Sequence, residues 1–595
     1  MKKTASAVLA ALLCLLLTVP AFGEEEQRPV LIIGDRVDRS GSRFNNQLGM
    51  WQYLADLVGI EIWYEYMTPE EYAAGLSSGN LPDIVFTQNN LSTIVENGVA
   101  LNVDPYLEEY CPNFLKGDTK LSYDVMKQLG GKENEFYFFP AKIGYNGVGY
   151  DNVESQRGYI VRWDYYKELG YPPINNEDDY LKVLLQMHEN HPFTDDGYPT
   201  YLYGTSNFSG YDTAFRAELS LDYWVAYQYQ NNIFTNEIYD GYVDPAHSKW
   251  WSSMAWENKL YRAGKANGSY DMELFTQSQE QYDAKAARGQ YLGLHSVKKD
   301  FYNESVKKDP ETLSGYAIVP TATTNYYTNV YQLLGNGSAY MWFISANTKH
   351  MKEALRLFNY MCDPDFVREL CMGRRGETWD YDEQHVPRMT EYGQEQLDAY
   401  KAGKASKDNY FTKWGTFSKL PSNWPLLRDN TTHPDGYSMD FATISREYAI
   451  ATMTNNISLD ICEHYGVELP TDAHYKAGGL DFRNDCGEAI SSSISSLNRD
   501  QLHILTEAEG ILDNVLVDLV LAETDEEWKA IRDETIRKLI ELDEPSVFKT
   551  YQKTWDAAAA VIAPLVRQAQ ISNGVDPYTP EDYADHGAGL EELAK

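Results

Sequence analysis

Basic residues are the first shortage. The chain of 595 residues carries 51 Lys and Arg against 88 Asp and Glu, a formal net charge of −37. Such a chain repels phosphate backbones and anionic lipid, which excludes nucleic acid and membrane surfaces as expected partners. Cysteine is sparse too, with 6 in the whole chain and no CxxC pair. That leaves no disulfide framework and no thiolate zinc site. Beyond residue 23 no segment approaches the roughly 20 uncharged apolar residues that a membrane-spanning helix needs. There is no internal repeat, low-complexity run or Pro/Gly-rich linker to split off an independent domain. GxSxG, the P-loop and GxGxxG are all missing, so serine-hydrolase chemistry and phosphate cradling lack their motifs. His188-Glu189-Asn190-His191 has the wrong spacing for the HExxH metal motif. No cofactor is required.

What is present begins with an export signal. Lys2-Lys3, the apolar stretch Ala5 to Leu17 and the small-x-small site Ala21-Phe22-Gly23 before Glu24 read as a cleaved secretory leader. Leu13, not a small residue, precedes Cys14, so Cys14 is expected to belong to the apolar core of the leader rather than to be a lipidation site. The mature chain is expected to be exported, to the cell surface, the medium or a periplasm. Its remaining cysteines are Cys111, Cys362, Cys371, Cys462 and Cys486; Cys362 and Cys371 bracket a helix end and are the candidate pair. Tyrosine is abundant, with 46 Tyr and 13 Trp. Flat rings with a polar handle suit the gripping of amphipathic ligands such as sugars.

Element signals follow in order. Val30 to Ile33 is a buried strand ending in Gly34, Asp35 and Arg36. Phe44, Leu48, Trp51, Leu54 and Val58 recur at helical spacing, and IEIWYEY is a second strand. Thr68-Pro69-Glu70-Glu71 starts a helix with cap, first-turn proline and reciprocal glutamate. LSSGNLPDIVFTQNN (76–90) closes that helix, turns, and runs a short apolar strand into polar residues. Alternating strands and helices predict a doubly wound parallel sheet. In such sheets ligands lie beyond the carboxyl ends of the strands, which makes Asp35, Arg36, Gln88 and Asn89 candidate contacts. Residues 200–300 read as aromatic-rich and mostly helical. Towards the end, Thr506…Glu509 and Thr524…Glu527 read as capping boxes.

Several stretches resemble one family. The helix–Ser-Gly-Asn–Leu-Pro-Asp-Ile-Val pattern at 76–85, Arg162-Trp163-Asp164-Tyr165-Tyr166-Lys167-Glu168-Leu169-Gly170 with Glu177 to Tyr180, and the helix–Gly–strand at 279–293 are among them. The strand–helix at 335–366 and the hairpin at 373–393 complete the set. Together they resemble the large, carbohydrate-type extracellular solute-binding proteins of ABC importers, over about residues 28–565. The resemblance implies an α/β, two-lobe, periplasmic-binding-protein-like fold, hinge-connected, with a helical C-terminal extension. Its units would be a signal peptide at 1–23, a first lobe of 24–150 plus 320–378, and a second of 151–319 plus 379–595. Hinges are expected near 148–157 and 315–325.

The resemblance further implies a monomer that is not an enzyme. It would clasp a carbohydrate, an oligosaccharide in the first instance, and deliver it to the permease subunits of an ABC transporter. Ligand contacts are expected from Asp35, Arg36, Gln88 and Asn89, from Tyr145 and Asn146 before the crossover, and from Arg162 and Trp163 after it. His295 and Ser296 at a strand end, with Trp342, Trp379 and Trp424 as ring platforms, complete the expected site. The alternatives are a secreted glycoside hydrolase, which needs two carboxylates about 5–10 Å apart across a cleft, and a carbohydrate-binding sensor without a transporter.

Overall fold

The computed structural model describes residues 28–572 except 36–47, 88–90, 130–134, 142, 146–157, 206–217, 222–223, 231–232, 236–237, 247, 296, 322–324, 327–330, 333–340, 416–426, 428–430, 445, 478–479 and 482–496. In chain order the first elements are β1 (Val30–Asp35), α1 (Gly49–Val58), β2 (Glu61–Tyr66), α2 (Pro69–Ser78), β3 (Ile84–Thr87), α3 (Gly117–Leu129), β4 (Phe138–Pro140) and β5 (Gly144–Tyr145). Next come β6 (Ile160–Arg162), α4 (Glu177–Asn190), β7 (Tyr201–Gly204), β8 (Glu218–Leu221), β9 (Trp224–Gln230), β10 (Ile233–Thr235), α5 (Lys249–Gly264), α6 (Gln279–Ala287), β11 (Tyr291–Leu294), α7 (Lys299–Lys308) and β12 (Tyr316–Ile318). The chain continues with β13 (Asn325–Tyr326), β14 (Tyr331–Gln332), β15 (Met341–Ile344), α8 (Met351–Met361), β16 (Trp379–Tyr381), β17 (Pro387–Met389), α9 (Arg446–Thr452), α10 (Asn456–Tyr465), α11 (Pro470–Lys476), β18 (Leu480–Asp481), α12 (Arg499–Leu521), α13 (Asp525–Glu541) and α14 (Glu544–Ser572).

The first lobe is built on the sheet β2-β1-β3-β15-β4. β1 runs parallel to β2 and β3, and β15 lies antiparallel between β3 and β4. β3 and β15 are buried on both faces, which is why they read as continuous apolar runs without alternation. α2 starts as its sequence predicts: the Thr68 side chain accepts from Glu71 N, Glu71 returns the bond, and Pro69 occupies the first turn. It stops at Gly79, whose φ of 74° favours a residue without Cβ.

The second lobe carries the sheet β12-β6-β11-β7. β6 pairs antiparallel with β12 and β11, while β11 runs parallel to β7. Gly293 is required here. A Cβ would sit 2.3 Å from the Tyr180 hydroxyl, which donates to Ile160 O at 2.6 Å. A separate three-stranded antiparallel sheet, β10-β9-β8, occupies part of the segment whose composition suggested helix. The Tyr227-Gln228-Tyr229-Gln230 alternation, after the apolar Trp224-Val225-Ala226, is the strand signal in that stretch.

The partition of the chain differs from the expected one. Trp379, Trp414, Leu427 and Met439 pack in the first-lobe core, so the chain remains in that lobe well beyond residue 378. Ile457 and Ile461 then join the second-lobe core, as do Ala508 to Val547. α14 leads back: Val547 is in the second core, Trp555 and Ala559 in the first, and Phe548 and Tyr551 pack against both. The polypeptide therefore passes between lobes through 145–159, 319–341, 442–457 and α14, and Ile238, between Tyr203 and Tyr242 of the second core, packs in the first. β5 and β14, from the first two passages, pair antiparallel with Tyr331 opposite Tyr145. Cys362 and Cys371 are both free and buried, so the candidate pair is not formed.

Candidate functional site

Each sheet has one edge at which the first two inter-lobe passages leave or enter. In the first lobe it holds the carboxyl ends of β1, β2, β3 and β4; in the second, the carboxyl ends of β7, β11 and β12 and the start of β6. In open α/β sheets this is where ligands sit. Asp35 ends β1, is fully buried, and accepts a hydrogen bond from the Tyr64 hydroxyl on the adjacent strand. Thr87 ends β3, and its hydroxyl receives the Tyr72 hydroxyl proton at 2.8 Å. Tyr66, opposite Asp35 in the register, keeps 40% of its surface exposed at the end of β2.

On the second lobe His295 follows β11. Its backbone N–H reaches Gly204 O at 3.2 Å, and its Nδ1 lies 3.2 Å from the Tyr282 hydroxyl. Thr205 follows β7 and is buried. Beneath them Asp271 accepts from Lys285 Nζ at 2.6 Å and from the Tyr291 hydroxyl at 2.8 Å. Burial, reinforced by the Asp271 charge, pushes the Tyr291 hydroxyl far up, so it is a fixed donor. The rim is thus a set of aromatic hydroxyls and an imidazole held by neighbours on rigid strands.

Of the expected site residues, Asp35 and His295 lie on these two edges. Tyr145 is placed by its backbone in β5, at the first passage. Arg36, Gln88, Asn89, Asn146, Ser296 and Trp424 lie outside the described residues. The others sit elsewhere. β6 starts at the passage edge with Ile160, which puts Arg162 and Trp163 at its far end. Arg162 is clamped by Asp164 at 3.0 and 2.6 Å and donates to Gly289 O at 2.7 Å. Burial opposes its charge, but the Asp164 carboxylate more than offsets that and raises the guanidinium above its ordinary range. Trp163 is fully buried and donates to Asp460 at 2.8 Å.

Trp342 stands in the middle of the first sheet, with its ring 5.0 Å from Phe86. Trp379 donates to Gly373 O at 2.8 Å inside the same core. All three indoles are buried in cores: Trp342 on a strand covered on both faces, Trp163 in the first turn of a helix after β6, and Trp379 on the inward face of the β16–β17 hairpin. Tyr64, Tyr66, Tyr72 and Tyr282 were not singled out in the sequence. The strand IEIWYEY ends beside Asp35, and counting its register would have found Tyr64 and Tyr66. Among the described residues no group of His, Cys, Asp and Glu side chains could hold a metal ion. None of the described helices is long and apolar enough to cross a membrane.

No protein-family model matches the sequence, and no curated protein matches it. Solved structures do. The alginate-binding protein AlgQ2 without calcium ion aligns over 89% of this chain and 98% of its own, at 14% identity and a TM-score of 0.51. An HMO-binding, ABC-transporter-associated solute-binding protein from Bifidobacterium longum infantis aligns over 89% and 99%, at 13% identity and a TM-score of 0.54. The S. pneumoniae ABC-transporter substrate-binding protein FusA in complex with kestose aligns over 89% and 99%, at 16% identity and a TM-score of 0.52. The chain has the two-lobe α/β fold of these solute-binding proteins.

Proposed function

We propose that the protein captures a neutral oligosaccharide between the two passage edges and presents it to the membrane subunits of an ABC importer. One observation carries the reading: two sheets of separate cores turn the same kind of edge, lined by hydroxyls and rings, towards the passages that join them. Proteins of this fold that bind alginate, HMO and kestose support a saccharide as the guest. Asp35, Thr87, His295 and Thr205 would bond sugar hydroxyls, and Tyr66 would lie against an apolar sugar face. Arg36, Gln88, Asn89, Tyr145, Asn146, Ser296 and Trp424 remain proposed contacts from the neighbouring segments.

Capture by closure follows from energetics. Each polar rim group that closes without a partner costs about 1–3 kcal/mol, so a closed empty cleft is disfavoured and the matching guest shifts the population. A thermal-shift panel of neutral oligosaccharides tests it. Binding to the native state at 100 times Kd adds about 2.7 kcal/mol, a clear rise in Tm. A rise with at least one saccharide, together with compaction in solution scattering, is expected. Product release from the same saccharide would instead mark a hydrolase, and no response across the panel would end the saccharide reading.

A further inference from the structure

A second cavity lies beside β12, the outer strand of the second-lobe sheet, on the side away from β6. β12 is the outer strand of its sheet, and its pairing with β6 fixes which way its backbone points. Trp163 N bonds to Gly315 O at 2.9 Å and Val319 N to Tyr159 O at 2.8 Å, so residues 315, 317 and 319 face β6. By alternation the N–H and C=O of Tyr316 and Ile318 are directed outwards. Their side chains pack on one face of the sheet with Phe301 of α7, whereas Ala317 packs on the other with Ile457 and Ile461 of α10. The two helices overhang the strand from opposite faces. The space between them is a cavity of about 340 Å³, closed further by α9 and α11.

This slot lies where a fifth strand would continue the sheet. Its lining is half apolar, from Val297, Met453, Ile457 and Leu469, and half hydroxyl and amide, from Asn303, Thr454 and Ser458. In a chain of net charge −37 the described lining contains no carboxylate, and its formal charges are the ammonium groups of Lys298 and Lys299. Lys298 also pairs with Asp283 at 2.7 Å. His474 lines the cavity with 5% of its surface exposed, and its Nδ1 has no hydrogen-bond partner. Burial pushes that imidazole down to about 3, so it is neutral and can take up either a donor or an acceptor.

We propose that this slot binds a short extended peptide with a free carboxyl end, added as a strand beside β12. Its main-chain N–H and C=O would pair with Ile318 and Tyr316 as in strand addition, two side chains would enter the apolar pockets, and the carboxylate would lie by the lysines. His474 Nδ1 would gain the partner it lacks. The lining shares no residue with those assigned to the oligosaccharide cleft, and the proposal does not rest on that reading.

Calorimetric titration of the full chain with the tripeptide Ala-Val-Ala and with its C-terminal amide tests the assignment. The acid is expected to bind saturably at one site, and the amide at least tenfold more weakly. Ser458→Phe, at a half-buried position on the slot wall, is expected to abolish binding while leaving the circular-dichroism spectrum unchanged. His474→Phe should do the same, and Ser458→Phe keeps the test decisive where that core substitution unfolds the lobe. Absence of saturable heat with the acid, or an unchanged isotherm with Ser458→Phe, would overturn the proposal. An amide that binds as tightly as the acid would overturn the placement of the carboxylate.

Discussion

Asp240 is a carboxyl that folding has taken out of water. It is 9% exposed and shares a side-chain hydrogen bond with Glu544, the buried first residue of α14. Burial raises it to about 6. A carboxyl raised in the folded state holds its full stabilising effect below its unfolded value near 4 and loses it as pH climbs through 6. The loss is on the order of 2–3 kcal/mol. Asp240→Asn keeps the acceptor for Tyr242 N and removes the titration. It is expected to raise Tm at pH 7.5 and to change it far less at pH 4.5, as measured by calorimetry at both. Arg368 and Asp435 act in the opposite sense. Arg368 is fully buried, and the Asp435 carboxylate bonds it at 3.0 Å besides a second, shorter contact. Burial works to raise Asp435, but the hydrogen bond from Arg368 holds it far below the usual carboxylate range. Asp435→Asn strands that guanidinium and is expected to cost about 3–5 kcal/mol in denaturant unfolding at pH 7. At this scale three of the tryptophans expected to face a ligand are buried in cores. Trp163, Trp342 and Trp379 could be platforms or core by composition, and only the layers packed above and below them decide.

Helix starts were legible where a cap and its first turn are both local. Thr68 forms the capping box that its sequence indicates, whereas Thr524 caps its helix by accepting from Glu527 N while the Glu527 carboxylate takes the Glu523 N–H instead of closing the box. Thr506 does not cap. It sits inside α12, bonding back to Leu502 O at 3.0 Å, and the capping box belongs to Asn498 and Gln501. Both candidates fit the spacing rule, and the helix began at the earlier one because its apolar stripe continues upstream through Leu505 and Ile504 to the second core. Thr68→Ala is expected to cost about 1 kcal/mol, read from the urea midpoint. Strand geometry was less legible. Nothing in GQYLGLHS announces that Gly293 must pass the Tyr180 hydroxyl. Gly293→Val is expected to destabilise by about 1–3 kcal/mol through that overpacking, and Tyr180→Phe should recover part of the loss in the double variant.

α14 governs the whole molecule. Its first turns lie in the second core and its middle in the first, with Phe548 and Tyr551 touching both. It also contacts α3 of the first lobe and α12 of the second. The closure proposed above would bend or roll this helix, and unfolding of one lobe is expected to disturb the other through it. Calorimetry of the full chain is expected to show one dominant transition, and truncation after Asp543 to split or broaden it. Two independent transitions in the intact chain would show the helix to be a passenger. By itself the sequence determined the strands β1, β2 and β3 and with them the α/β class, because apolar runs and short-range capping leave their mark within a few residues, and the two-lobe plan was implied by the family resemblance. The tertiary structure alone decided where residues 379–442 belong, which rings face a ligand and which fill a core, and that a slot opens beside β12. Each of those depends on contacts between segments hundreds of residues apart, for which neighbouring residues carry no periodic signal.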